Sequence, residues 1–362
     1  MTIVATIDDC SGSDGSEGMS PGTDSEFPDA GTLRAVLALA NHAPSVHNSQ
    51  PWRWRIGSDS LHLYADPTRH LPHTDPDRRG LLLSCGAALH HCTVALAAAG
   101  WHAKIRRMCD LGDRNHLADI ELVRQTPGEL EVMLSAAIPD RRTDRRTYSS
   151  WPVPWGDIAL MGARAARAGV MLRQIDLLPR FNAIVAESVA RHASDPEYLA
   201  ELSAWSGRHG SVAGVPASNT PGPEPAARIP ARVFASPALR QPAQTPPEQD
   251  NAVVIALGTE ADDDLSRLRA GEATSLVLLS ATAMGLASCP VSEPLEIPET
   301  REAVRSDVFG DSGYPQMLIR VGWAAVNADP LPATPRRPLH EVADFSDHSD
   351  RRVSAASVGR TG

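Results

Sequence analysis

From Gly80 to Ala103 the chain carries no charged residue. A stretch of that length is either a membrane span, which needs about 20 apolar residues, or a helix covered on every side inside a folded domain. Ser84, His90, His91, Thr93 and many alanines keep its transfer to lipid only modestly favourable, so a buried helix is expected and no membrane partner. A second stretch repeats it. Gly86-x-Ala88 is followed by Gly100, fourteen residues after Gly86, and Gly271-x-Ala273 by Gly285, fourteen residues after Gly271. Each stretch lies between strand signals, so a duplicated unit accounts for the echo better than coincidence. Small residues allow close backbone approach, and the two helices are expected to pack together at the centre of the molecule.

The 362 residues are 42% hydrophobic, enough for one large or two medium domains. A formal charge of −10 argues against a nucleic-acid partner, because non-specific binding needs basic surface to displace phosphate counterions. Cys10, Cys85, Cys92, Cys109 and Cys289 are scattered without CxxC spacing, which fits a reducing cytoplasm. Residues 8–26, rich in Asp, Glu, Ser and Gly, read as a disordered acidic tail rather than a signal peptide, and the stretch after Val342 reads likewise.

Helical periodicity runs from Gly31 to Asn41 and ends before Pro44. Trp52–Ile56 alternates as a strand, and Leu61–Tyr64 pairs with it as a hairpin. Further strands are expected at 103–108, 117–123, 170–175, 251–258 and 316–323, with helices at 155–168, within 178–205 and at 271–286. Residues 206–250 are rich in Gly, Pro, Ser and Ala and show no period. So long a loop in a compact domain is often functional, such as a lid.

Three local patterns carry chemistry. Ala43-Pro44-Ser45-Val46-His47-Asn48-Ser49-Gln50-Pro51-Trp52 presents hydroxyls and amides on a stiff loop that suits the polar edge of a flat heterocycle; it suits a capped turn equally well. Arg141-Arg142-Thr143-Asp144-Arg145-Arg146 offers bidentate donors for a phosphate, or else a solvated basic turn, and Arg336-Arg337 is a second such pair. Gly285-Leu286-Ala287-Ser288-Cys289-Pro290-Val291-Ser292-Glu293 is a helix-terminating loop that can present backbone N–H groups to a ligand or simply turn the chain. Other candidates are weaker. His90-His91-Cys92 and His70-x-x-His73 lack metal-ligand spacing, so no metal is expected. Gly310-Asp311-Ser312-Gly313 has no supporting His–Asp pattern, and neither a G-x-G-x-x-G turn nor a P-loop is present.

Together these patterns resemble the nitroreductase superfamily of flavoproteins. There an Arg-Arg-Ser-x-Arg motif binds the FMN phosphate, an Ala-Pro-Ser-x-x-Asn-x-Gln-Pro-Trp loop of the opposite protomer covers the flavin, and a Gly-Leu-x-x-x-Pro loop lies along the ring. The similar elements here are Arg141–Arg146 with Thr143 in place of Ser, Ala43–Trp52 and Gly285–Glu293, with Arg336–Arg337 as the basic residues near the C-terminus. Their order departs from the family. The covering loop comes first without an arginine motif before it, and the arginine motif appears only at the midpoint, as two fused halves would show after each lost the opposite part of its site. With Leu83–His91 and Tyr314–Leu318, this arrangement is similar to the Acg-like branch of actinobacterial nitroreductase-like proteins, associated with hypoxia, dormancy and stress responses.

The resemblance implies an α+β fold, a monomeric internal pseudo-dimer and one FMN. The halves would be 29–138 and 139–342, with 206–250 inserted as the lid and tails at 1–28 and 343–362. It implies that Arg141, Arg142, Thr143, Arg145 and Arg336 or Arg337 hold the phosphate and ribityl groups. Pro44, Ser45, Val46 and Asn48 would cover the ring, and Pro290, Val291 and Ser292 would lie near its N5 and N1. Hydride would pass from NAD(P)H through FMN to an electron-poor acceptor such as a nitroaromatic or quinone, with no protein acid or base required. The alternative is a protein whose closed lid sequesters or stores FMN without turnover; a flavin-free scaffold is the third option.

Overall fold

Residues 27–345 are described by the computed structural model, except 111, 176–178, 209, 225–226, 243–245 and 247–248. The expected tail over residues 8–26 lies outside them, as do the residues beyond 345. Asp29 caps helix α1 (Ala30–Ala40) by accepting from Gly31 N and Thr32 N at 2.7 and 3.0 Å. β1 (Trp52–Ile56) and β2 (Ser60–Ala65) form the expected hairpin, burying Trp52, Trp54 and Ile56 and exposing Arg53 and Arg55. α2 (Arg79–Ala98), β3 (Trp101–Arg107) and β4 (His116–Arg124) follow, then α3 (Glu129–Ala137), a helix that the periodicity does not show.

The chain continues through α4 (Trp155–Arg167), β5 (Met171–Ile175), α5 (Pro179–Ala193) and α6 (Pro196–Trp205). Residues 206–250 are not wholly without structure: β6 (Ser206–Arg208) and β7 (Val215–Pro216) pair in parallel. Next come β8 (Val253–Thr259), α7 (Asp264–Ala283), β9 (Ala287–Val291), α8 (Glu293–Glu296), α9 (Pro298–Val304) and β10 (Tyr314–Gly322). α10 (Leu339–Val342) leads into β11 (Ala343–Asp344). The tail expected from residue 343 therefore starts later, because Ala343 and Asp344 pair in parallel with the edge of β1.

Two sheets result. One has the order β11-β1-β2-β4-β3 and the other β5-β8-β10-β9, with every pair antiparallel except β11–β1. α2 and α7 pack against each other between the separate cores of the two sheets, as the small-residue echo predicts. They run in the same direction, since Leu83 meets Gly271, His91 meets Ser275, and Val94 shares a cluster with Leu279. A Cβ placed on Gly86 would overlap the Leu268 carbonyl oxygen, and one on Gly271 would overlap that of Leu83. α7 begins at Asp264 rather than Gly271, because Asp263 caps it by accepting from Ser266 N at 2.7 Å.

The start of α2 is fixed by Asp75, which accepts from Gly80 N and Leu81 N at 2.7 and 2.8 Å. Burial pushes the Asp75 carboxyl up to about 7 against those two hydrogen bonds, with a smaller push from Asp77 and Glu296. The fold thus holds a proton that the unfolded chain releases near pH ~4, so this group makes stability fall as pH rises from ~4 to about 7. Asp75→Asn is expected to flatten that part of a urea-unfolding profile measured against pH. An unchanged slope would show that Asp75 ionises normally in the fold.

Candidate functional site

A cavity of ≈ 400 Å³ lies between α2, α7, the end of β9 and the 206–250 insertion. Leu83, Ser84 and Ala87 form one wall and Thr274 another, with Thr143 and Arg145 beside them. Pro44, Ser45, Val46 and His47 enter from the α1–β1 loop, while Pro290, Val291 and Ser292 enter from β9 and the residue after it. Thus nine of the residues singled out in the sequence are not all that meet here, but the covering loop, the midpoint motif and the β9 segment do converge on one space. The Gly285–Glu293 segment is an edge strand over Ala287–Val291 rather than a loop; Pro290 is tolerated because β9 borders only β10.

The α1–β1 loop is held in an unusual shape. His47, Asn48 and Gln50 have φ of 49°, 54° and 53°, a region that non-glycine residues enter at a cost repaid by surrounding contacts. Val46 N donates to Ser84 Oγ at 3.2 Å and Gln50 N to Ser45 Oγ at 3.0 Å. Asn48 does not line the cavity. Its Nδ2 donates to Gly214 O at 3.0 Å and Pro335 O at 3.1 Å, and its Oδ1 accepts from Arg336 Nη1 at 3.2 Å. Gln50 likewise donates to Val212 O at 2.9 Å and accepts from Arg337 N at 2.8 Å. The two amides expected at a ligand edge instead tie the insertion and the C-terminal segment to this loop.

The arginines separate into two kinds. Arg146 is paired with Asp144 at 2.8 Å, and Arg337 is tied to Asp66 at 3.6 Å and Glu341 at 3.3 Å. Arg337 is therefore a structural residue, and of the two C-terminal arginines Arg336 is the one left for a ligand. Arg141, Arg142 and Arg336 have no carboxylate partner among the described residues. Arg141 Nε and Nη1, Arg142 Nε and Arg336 Nε are buried without any hydrogen bond. Burial and repulsion from Arg142 and Arg145 push Arg141 down to about 10; burial, Arg141 and Arg142 push Arg336 down to about 9. His42 is lowered by burial and then by Arg336, Arg141 and Arg142. Buried, mutually repelling guanidiniums with unmade hydrogen bonds are the donor set that a phosphate dianion satisfies. Arg145 points elsewhere: its Nη1 donates to Asn219 O at 3.2 Å, and its guanidinium lies 4.9 Å from the centre of the Phe234 ring on the cavity wall.

The insertion roofs the cavity with Pro223, Ile229, Pro230 and Phe234. Its anchor is Arg232, which reaches Glu296 at 2.6 and 2.7 Å and lies 2.9 Å from His47 Nε2. Glu293 stands 3.9 Å from Arg232 and 3.2 Å from His192, whose ring stacks on Tyr198 at 3.9 Å. Removing one member of a buried ion pair leaves the other uncompensated, so Arg232→Ala is expected to cost about 3–5 kcal/mol at this anchor. Faster chymotryptic cleavage after Phe234 would show it. An unchanged rate would show that other contacts hold the roof. No local pattern marked Arg232, Glu296 or His192, because their partners lie 64 to 185 positions away or on another helix.

No family model matches the chain. It is 62% identical over 321 residues, covering 89% of this chain and 93% of the relative, to "Putative NAD(P)H nitroreductase Rv3131" of Mycobacterium tuberculosis. It is 34% identical over 319 residues, 86% of this chain and 94% of the relative, to "Putative NAD(P)H nitroreductase acg" of the same species. Among solved structures, the FMN-dependent nitroreductase NfnB from Mycobacterium smegmatis in complex with NADPH is similar at 17% identity and a TM-score of 0.38, covering 60% of this chain and 99% of that one; nothing below rests on it. At 62% identity across 89% of its length to one named nitroreductase and 34% across 86% to another, the chain belongs to the nitroreductase family.

Proposed function

We propose that the protein is an FMN-dependent oxidoreductase of the NAD(P)H nitroreductase type, built from two fused halves (29–138 and 139–342) with 206–250 as a lid. The observation that carries this reading is the cluster of buried arginines without counter-charge, Arg141, Arg142 and Arg336, beside a cavity of ≈ 400 Å³. That volume falls within the range of about 300–1,000 Å³ usual for small-molecule sites. When bound, FMN supplies the hydride chemistry, taking hydride from NAD(P)H and giving it to an electron-poor acceptor. The chain's own residues bind and orient it. Arg141, Arg142 and Arg336 hold the phosphate, while Thr143 and Arg145 face the remainder from the cavity wall. Pro44, Ser45 and Val46 cover one side of the ring, with Pro290, Val291 and Ser292 along its edge.

A second reading is favoured by the roof. With Arg232 buried among Glu293, Glu296 and His47, the lid excludes water and bulky reactants, which suits a protein that sequesters FMN. Anaerobic mixing of the FMN-loaded protein with NADPH, and separately with NADH, decides between them. Loss of the flavin's visible absorbance with either nucleotide is expected. Flavin that dithionite bleaches but neither nucleotide does would overturn the oxidoreductase reading in favour of sequestration.

A further inference from the structure

His91 belongs to none of the patterns that mark the arginine cluster, yet it lies against it. It sits on α2 with no solvent exposure, and its Nε2 is buried without a hydrogen-bond partner. Its Nδ1 is 3.0 Å from Ala87 O and 2.7 Å from Ser275 Oγ on α7, and Ser275 Oγ is also 2.7 Å from His90 Nδ1. A carbonyl oxygen can only accept, so the Ala87 contact requires hydrogen on His91 Nδ1. Ser275 then accepts from His91 and donates to His90, and each proton in the triad is accounted for. In a neutral ring the remaining nitrogen, Nε2, is a bare lone pair. It is the wrong partner for an anion and the wrong atom to leave buried.

We infer that His91 is a fourth phosphate ligand of this site and that it takes up one proton from solvent when a phosphate monoester binds. The inference rests on the FMN reading for the identity of the ester. Protonation puts a hydrogen on Nε2 while Nδ1 keeps Ala87 O and Ser275, so the ring turns from a lone pair facing the cluster into a donor without moving. In the unliganded protein burial opposes that charge first, followed by Arg141, His90 and Arg336, with the Ala87 hydrogen bond favouring it. A dianion among Arg141, Arg142 and Arg336 offsets the repulsion from the guanidiniums and supplies the acceptor. The same groups account for why the ring stays neutral beforehand.

The sign follows. The bound state holds the proton more tightly than the free state, so affinity rises as pH falls. The effect is clean between pH ~8.5 and ~7, where a phosphate monoester with its second pKa near 6 stays dianionic. Calorimetric titration of the flavin-free protein with FMN, in buffers of different ionisation enthalpy, is expected to show uptake approaching one proton, and affinity rising by up to about tenfold per pH unit lowered. His91→Gln, which keeps a donor but cannot be charged, is expected to bind FMN without proton uptake. Riboflavin, which lacks the phosphate, is expected to bind either form without uptake. FMN binding with no uptake in the wild type, or with the same uptake in His91→Gln, would overturn the role of His91 and leave the flavin reading standing. Glycerol 3-phosphate serves as the flavin-free probe. Its binding with uptake where FMN fails to bind would uphold His91 and overturn the flavin reading, and failure of both ligands to bind would overturn both.

Discussion

Arg141→Gln combined with Arg336→Gln is expected to weaken FMN binding by about 10²–10⁴-fold, because each charge-assisted hydrogen bond contributes about 1.5–3 kcal/mol. The same double variant is expected to be more stable than the wild type when no flavin is bound. Arg141 and Arg336 each hold buried nitrogens with no partner, and each lowers the other's affinity for its proton. Replacing a buried unpaired cation with a neutral amide relieves desolvation and repulsion together, by about 1–3 kcal/mol on the scale of uncompensated buried polar groups. Flavin fluorescence quenching and thermal unfolding without ligand measure the two effects. A variant that loses stability as well as FMN would show that the arginines hold the fold rather than a ligand. Arg337→Gln separates the two roles, since its partners Asp66 and Glu341 make its loss a matter of stability.

Gly86→Val is expected to be the most damaging single substitution in the molecule. Overpacking a core usually costs about 1–3 kcal/mol because side chains shift to make room. Here the first atom met is the Leu268 carbonyl oxygen, with Glu272 N and the Gly271 Cα close behind. Backbone of a helix cannot rotate away, so α2 and α7 must separate along their length. That would pull Leu83, Ser84 and Ala87 away from Thr274 and open the cavity they share. A loss of about 4–5 kcal/mol or failure to fold is expected, in the range that marks severe substitutions. A urea midpoint within about 1 kcal/mol of the wild type would mean that the helices do not touch at this crossing.

The central helix pair was legible in the sequence because close packing leaves a compositional trace: glycines and alanines at repeated spacing and no charge. The convergence of the Ala43–Trp52 loop with Arg141–Arg145 was legible only through the order of motifs along the chain. Choice between neighbours was not. Arg336 and Arg337 are adjacent, and only Asp66 and Glu341, one of them far away in sequence, decide which is neutralised. Asn48 read as a ligand-facing amide, but its partners Gly214 and Pro335 lie in segments that no local pattern joins to it. β9 was masked by Pro290, which argues against a central strand and is silent about an edge. The first turns of α7 were masked by Asp264, Arg267 and Arg269, which interrupt an apolar run without ending a helix. His91 was visible only as part of an unconvincing metal pattern, and its orphaned Nε2 is a tertiary fact.

The most direct test of the account is equilibrium binding of FMN and of riboflavin to the flavin-free wild-type protein, side by side. The two differ only in the phosphate that Arg141, Arg142 and Arg336 are held to bind. FMN binding tighter by at least about 10²-fold is expected from the charge-assisted hydrogen bonds involved. Equal affinity for the two, or no affinity for either, would contradict it.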